Sequence, residues 1–168
     1  MAKKINKKEF KEYLQSAIFG FSDALVSTTG VIVGVSTGVS DKAVVVLAGV
    51  TTILVEALSM GSGQYLSLKS AYQLRQKKNF RVPIVSGIVM FMAYFLAGLV
   101  PLLPVILLPV EQARTTAIVA ALLGLAILGL IKGRIVKVSP LKSALEVLIV
   151  GGLATGIGLV VGSILGVN

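Results

Sequence analysis

Phe19-Gly20-Phe21-Ser22-Asp23-Ala24-Leu25-Val26-Ser27-Thr28-Thr29-Gly30-Val31-Ile32-Val33-Gly34 is apolar enough to lie in a lipid bilayer, yet it carries a carboxylate, Asp23, well inside the run. Placing an ionisable side chain at the bilayer centre costs roughly 3 kcal/mol or more, and such residues face a bundle interior or a water-filled path and mark functional sites. What surrounds Asp23 therefore decides both the fold and its use.

The remaining chain supports a membrane setting. Hydrophobic residues make up 55% of the 168 positions and charged residues only 14%, well below the quarter or so usual in soluble domains. With a mean hydropathy of +0.94, there is too little polar surface to cover a soluble core. The net charge of +9 does not point to nucleic acid, because the basic residues fall in short runs between apolar segments. The absence of Cys and His excludes disulfides, thiolate zinc sites and imidazole ligands. A metal must then be held by carboxylate, amide, hydroxyl, carbonyl or methionine sulfur. No nucleophile–base constellation is present, so an enzyme is not expected, and neither is a cofactor. The Lys-rich lead through Lys11 lacks a signal-peptide cleavage pattern, so the first span is expected to be retained.

Five apolar segments, each near the roughly 20 residues a spanning helix needs, are placed at about 14–37, 43–67, 84–108, 114–131 and 144–166. Pro83 suits the first turn of the third span. Pro101, Pro104 and Pro109 are expected to kink or end it. The loop at about 68–83 reads as a helical extension of the second span lying at anionic headgroups. Basic residues fix the orientation: fourteen of sixteen fall in the N-terminal lead, which includes Lys3 and Lys4, or in the second and fourth connections. Only Lys42 and Arg114 fall on the other side. By the positive-inside rule the N-terminus is cytoplasmic and the C-terminus outside. The expectation is an all-α polytopic membrane protein, one five-span domain over residues 1–168, in a prokaryotic cell membrane.

Three spans carry stripes of small or polar residues at helical spacing. Asp23, Ser27, Gly30, Gly34 and Thr37 share one face of the first, and Gly49, Thr52, Glu56, Met60, Gly63 and Ser67 one face of the second. Gly151, Thr155, Gly158, Gly162 and Gly166 line the fifth. Small residues let helix backbones approach closely where lipid supplies no hydrophobic force between helices. Ser27, Gly30 and Gly34 are thus expected at a helix–helix or subunit contact.

Counting residues from the inner ends of the antiparallel first and second spans puts Asp23, Met60 and Glu56 at similar depth. They could meet around one ion. Carboxylate oxygen alone suits hard cations, and a thioether shifts preference toward later first-row metals, so the set reads as a weak site for iron(II) or a similar divalent ion. Weak binding suits transport, which needs release as well as capture. Burial disfavours the charged form of a carboxylate, so a proton can occupy Asp23 or Glu56 when metal does not, the minimal physics of proton antiport. Bland readings stand beside these: a fixed polar network around Asp23, and Met60 as gap-filling core. For Glu146 the expectation is an i,i+4 pair with Lys142.

The stretch Ile18-Phe19-Gly20 through Gly34 resembles the first-span signature of the vacuolar iron transporter family, and Ala57-Leu58-Ser59-Met60-Gly61-Ser62-Gly63-Gln64-Tyr65-Leu66-Ser67 resembles that of its second. Gly98-Leu99-Val100-Pro101-Leu102-Leu103-Pro104 is similar to its third span. The resemblance implies a homodimer with a metal path between the two first spans, Asp23 and Met60 at the ligand positions, and export of iron(II), often also manganese(II), from the cytosol in exchange for protons. Two Asp23 and two Met60 would then surround one axis. The chain departs from the family in lacking its Glu-rich cytosolic domain between spans two and three. It also departs in having Gln64 where many relatives have Glu, and Glu56 where many have a small residue. The acid is read as having moved two turns along the second span. An uncoupled metal channel and a non-transporting membrane scaffold are the rival readings.

Overall fold

The computed structural model describes residues 6–166, the side chains of 110 and 111 excepted, and all regular structure there is helical. The helices are α1 (Lys7–Gly38), α2 (Lys42–Leu74), α3 (Arg81–Leu107), α4 (Val110–Val136) and α5 (Pro140–Leu165). Each is long and apolar enough to cross a membrane. The links 39–41, 75–80, 108–109 and 137–139 are so short that successive helices must run up and down.

Each expected segment overlaps one helix, the third and fifth passing its end by one residue, and the helices start earlier than the segments. Local capping explains where they start. Asn6 accepts from the Lys8 N–H, while its own N–H donates to Glu9 at 3.1 Å. Asp41 accepts from the Ala43 N–H at 2.8 Å, and Ser139 with Pro140 opens α5. At 33 residues α2 is about 50 Å long, more than the roughly 30 Å of hydrocarbon. The helical extension expected over about 68–83 is met only to Leu74, since residues 75–80 form a link and Arg81 already opens α3. Over this stretch Lys69 lies over the rings of Tyr65 and Phe80, and Lys77 over Tyr72.

Two expectations about helix geometry are met only in part. Pro101 and Pro104 do not end α3, which continues through both to Leu107. A spanning helix tolerates the lost N–H donors where neighbouring helices, hydroxyl side chains or a local adjustment of the helix satisfy the freed carbonyls. Only Pro109 marks a boundary, as the residue before α4. On α2 the buried face is Val45, Gly49, Ile53, Ala57 and Gly61, so of the expected Gly49-Thr52-Glu56-Met60-Gly63-Ser67 stripe only Gly49 is buried. Gly61 abuts Phe91 and the Gly87 carbonyl of α3, whereas nothing lies within 4 Å of where a Cβ on Gly63 would be.

α1 is central and touches each of the other four helices. One half of the core joins Ile32, Val45, Ile53, Leu102 and Val105; the other joins Ala24, Leu25, Ala57, Tyr94 and Leu125. Against α5 the backbones meet directly. A Cβ on Gly158 or Gly162 would collide with the carbonyl oxygen of Gly30 or Gly34, and Gly38 faces Gly166 in the same way. These pairs fix a parallel register between α1 and α5 over three successive contacts.

The charged ends differ. The end carrying the N-terminus and the 75–80 and 137–139 links, here the basic end, holds most of the cations; Lys3 and Lys4 lie outside the described residues. At the opposite end Lys42 donates to the carbonyls of Ile106 (2.9 Å) and Leu108 (3.0 Å), tying α2 to the end of α3. Arg114 donates to Thr37 at 3.4 Å, tying α4 to α1.

Candidate functional site

The buried face of α1 (Gly20, Ala24, Leu25, Thr28, Thr29, Ile32) is covered by the bundle. The adjoining face, with Ser22, Asp23, Val26, Ser27 and Gly30, is only partly covered and lines open grooves. One cleft of about 280 Å³ is lined by Phe19, Ser22, Asp23 and Val26 of α1 with Lys132 of α4 and Glu146 of α5. A second, of about 500 Å³, starts at Val26 and Ser27 and continues over the glycine contacts to Gly38 and Gly166. Sharing Val26, the two follow α1 from near the basic end to the far end. Asp23 is the acid of α1 in that course.

The sequence-derived ligands occupy different surroundings. Asp23 is half-buried in the first cleft, and Glu56 lies within electrostatic reach of it. Glu56 itself is exposed on the outer side of α2. Met60 is partly buried and packs against the cluster of Ala24, Leu25, Ala57 and Tyr94. Among the described residues, no group of three or more Asp or Glu side chains is close enough to hold a metal ion. One copy of the chain does not bring the three predicted ligands into one cavity: the cleft that holds Asp23 is lined by neither Glu56 nor Met60.

Gln64 does not share the surroundings of Glu56. Its amide donates to Ser16 Oγ of α1 at 2.9 Å, clamping the basic-end halves of α1 and α2, and Tyr72 adds a hydrogen bond to the Glu12 carboxylate at 3.1 Å. Gly30 and Gly34 have their close neighbours on α5 of the same chain, and Ser27 bonds within the chain to Tyr94.

A family model described as the VIT family matches residues 14–83 and 72–163, nearly the whole membrane region. The chain belongs to the VIT family. Vacuolar iron transporter homologs 3 and 1 of Arabidopsis thaliana are each 29% identical over 159 residues, covering 87% of this chain and 80% of the relative. Vacuolar iron transporter 1 of Eucalyptus grandis is 25% identical over an alignment of 206 residues, covering 86% of this chain and 83% of the relative. That alignment is longer than this chain's 168 residues, so the Eucalyptus protein carries positions without a counterpart here. Asp23, Glu56 and Met60 all lie within the matched ranges of this VIT family member.

Three further residues stand near this site: Tyr94 and Lys132, which residue patterns did not single out, and Glu146, whose partner differs from the one expected. Tyr94 of α3 is fully buried, and its hydroxyl lies 2.6 Å from Ser27 Oγ, one turn along α1 from Asp23. A lone phenol inside an apolar span was the available signal, since a buried Tyr hydroxyl needs a partner. Lys132 and Glu146 form the second case. Glu146 pairs with Lys132 of α4 at 3.7 Å rather than with Lys142. The reason is the α4–α5 hairpin, where Gly129 meets the backbone of Ala144 and Gly133 that of Pro140, so a neighbouring helix supplies the nearer ammonium.

Proposed function

We propose that this protein is a divalent-metal transporter that exports iron(II), and also manganese(II), from the cytosol in exchange for protons across the cell membrane. The observation that carries this reading is Asp23: a half-buried carboxylate deep in a spanning helix, facing a groove that follows that helix toward both ends of the bundle. Membership of the VIT family and relatives named as vacuolar iron transporters supply the cargo. The basic end is taken as cytosolic, in line with the positive-inside rule.

The functional unit in this reading is a homodimer. Asp23 and Glu56 sit on faces that the chain itself leaves partly or wholly uncovered. Carboxylates at membrane depth are not left against lipid. A second copy related by an axis along α1 would cover them and bring two Asp23 carboxylates and two Met60 thioethers around one divalent ion. Four carboxylates counting Glu56 would exceed the charge of one such ion, leaving room for protons to compensate. Metal and proton then compete for the same oxygens, and the gradient of one drives the other.

The test is flux in sealed vesicles reconstituted with the full chain, using iron(II), manganese(II), cobalt(II) and zinc(II), with and without an imposed pH gradient. Metal movement that follows the pH gradient supports the antiporter. Movement indifferent to the gradient identifies an uncoupled channel. No movement, together with tolerance of Asp23→Asn, identifies a scaffold.

A further inference from the structure

The glycine contacts between α1 and α5 define a constant offset: Gly30 faces Gly158, Gly34 faces Gly162 and Gly38 faces Gly166. The same offset continued toward the basic end sets Phe19 beside Val147 and Ser22 beside Val150, residues that share the first cleft. Glu146 then stands level with residue 18 of α1, five residues short of Asp23, or about 7 Å at helical rise. It lies on the same side of α1 as Asp23, nearer the basic end, and lines the same cleft.

Lys132 lines that cleft as well and reaches Glu146 at 3.7 Å. The pair is uncovered by the chain to different degrees, with the Lys132 side chain 31% and the Glu146 side chain 71% exposed. The cleft therefore contains two carboxylates in succession and one ammonium. Its formal charge is −1 with Lys132 in place and −2 without it, and the second value matches a divalent cation.

We propose that the Lys132–Glu146 pair is the inner mouth of the metal path. Glu146 is the first carboxylate that an arriving divalent cation meets, and Lys132 is the resident cation that it displaces. The proposal rests on the transport reading above and deepens it. It gives a short chain a metal-collecting carboxylate on a spanning helix. The ammonium lowers the attraction of the cleft for a divalent ion, which keeps the ion from being held at the mouth. It also leaves the cleft neutralised in part when no metal is present.

The design has a signature that a merely structural ion pair lacks. If the pair only clasps α4 to α5, removing either partner breaks the same clasp and the two variants change in the same direction. If the pair governs metal arrival, the two change in opposite directions. Initial rates of manganese(II) uptake are measured in vesicles containing the wild-type chain, Glu146→Gln or Lys132→Met. Glu146→Gln is expected to raise the half-saturating manganese concentration about three- to fivefold, with a smaller effect on the maximal rate. Lys132→Met is expected to lower it by a similar factor. Manganese(II) binding to the same proteins in detergent, read by thermal shift, is expected to show the same opposed order of affinities. Half-saturation and binding that stay at wild-type values, or that move together in one direction, would overturn the proposal. Opposed binding shifts without wild-type flux would retain the pair's role in cation capture while removing the transport reading.

Discussion

Tyr94 Oη lies 2.6 Å from Ser27 Oγ, joining the centre of α3 to the turn of α1 that follows Asp23. The phenol is fully buried, so it has no exchange with water to fall back on. This bond therefore holds the rotation of α1 about its axis at the depth where its carboxylate must point into the groove.

Tyr94→Phe and Ser27→Ala each remove that bond and leave the other hydroxyl without it, whereas the double variant leaves neither. Each is expected to cost about 1 kcal/mol of stability, with the Ser27 hydroxyl stranded in the first case. Because the two share one interaction, the double variant should lose less than the sum. A thermal-unfolding double-mutant cycle in detergent checks this; strict additivity would mean that the bond carries no energy.

Asp23→Asn preserves shape and removes the charge. Metal flux into vesicles is expected to fall to the protein-free background while size-exclusion profiles match the wild type. Flux at the wild-type level would remove Asp23 from the path.

Met60 packs against Ala24, Leu25, Ala57 and Tyr94, so Met60→Leu should fold with a cost below about 1.5 kcal/mol. If its thioether also touches the ion, the variant discriminates less well between manganese(II) and magnesium. Competition flux measures this, and an unaltered selectivity series would leave Met60 a core residue alone.

Glu56 is exposed within the single chain yet lies within electrostatic reach of Asp23. Glu56→Gln is expected to flatten the pH dependence of flux while leaving a residual metal conductance. An unchanged pH profile would confine proton coupling to Asp23.

Gly162→Val places a side chain where the Gly34 carbonyl already is, and backbone cannot swing aside. A loss of about 3 kcal/mol or more, and with it of monodisperse protein, is expected. Gly152→Ala is the control, since nothing lies within 4 Å of its new methyl group.

The five spans were legible because hydrophobic length is a strong signal in a chain with short polar links. Their rims were less so. Hydropathy marks where the hydrocarbon ends, whereas Asn6, Asp41 and Ser139 set the helix starts by hydrogen bonding outside it. The packed face of α2 was misread because lipid and protein interior are equally apolar. Small residues at Gly63 and Ser67 therefore looked no different from Gly61, which does pack. Asp23 stood out by cost alone. The Lys132–Glu146 pairing did not, since only the α4–α5 hairpin brings together side chains that sequence spacing keeps apart.

Six glycines, Gly30, Gly34 and Gly38 with Gly158, Gly162 and Gly166, give α1 and α5 a fixed graduation. A slide of one residue would set a branched or bulky neighbour of one glycine against backbone of the other helix, so the two helices travel as one part. The interval between Glu146 and Asp23 is then a constant of the molecule. An ion stepping from one carboxylate to the other crosses the same distance whichever side of the membrane the groove is open to. A substitution far along α5 would be felt at Asp23 through this ruler, although the residues in between contribute no ligand.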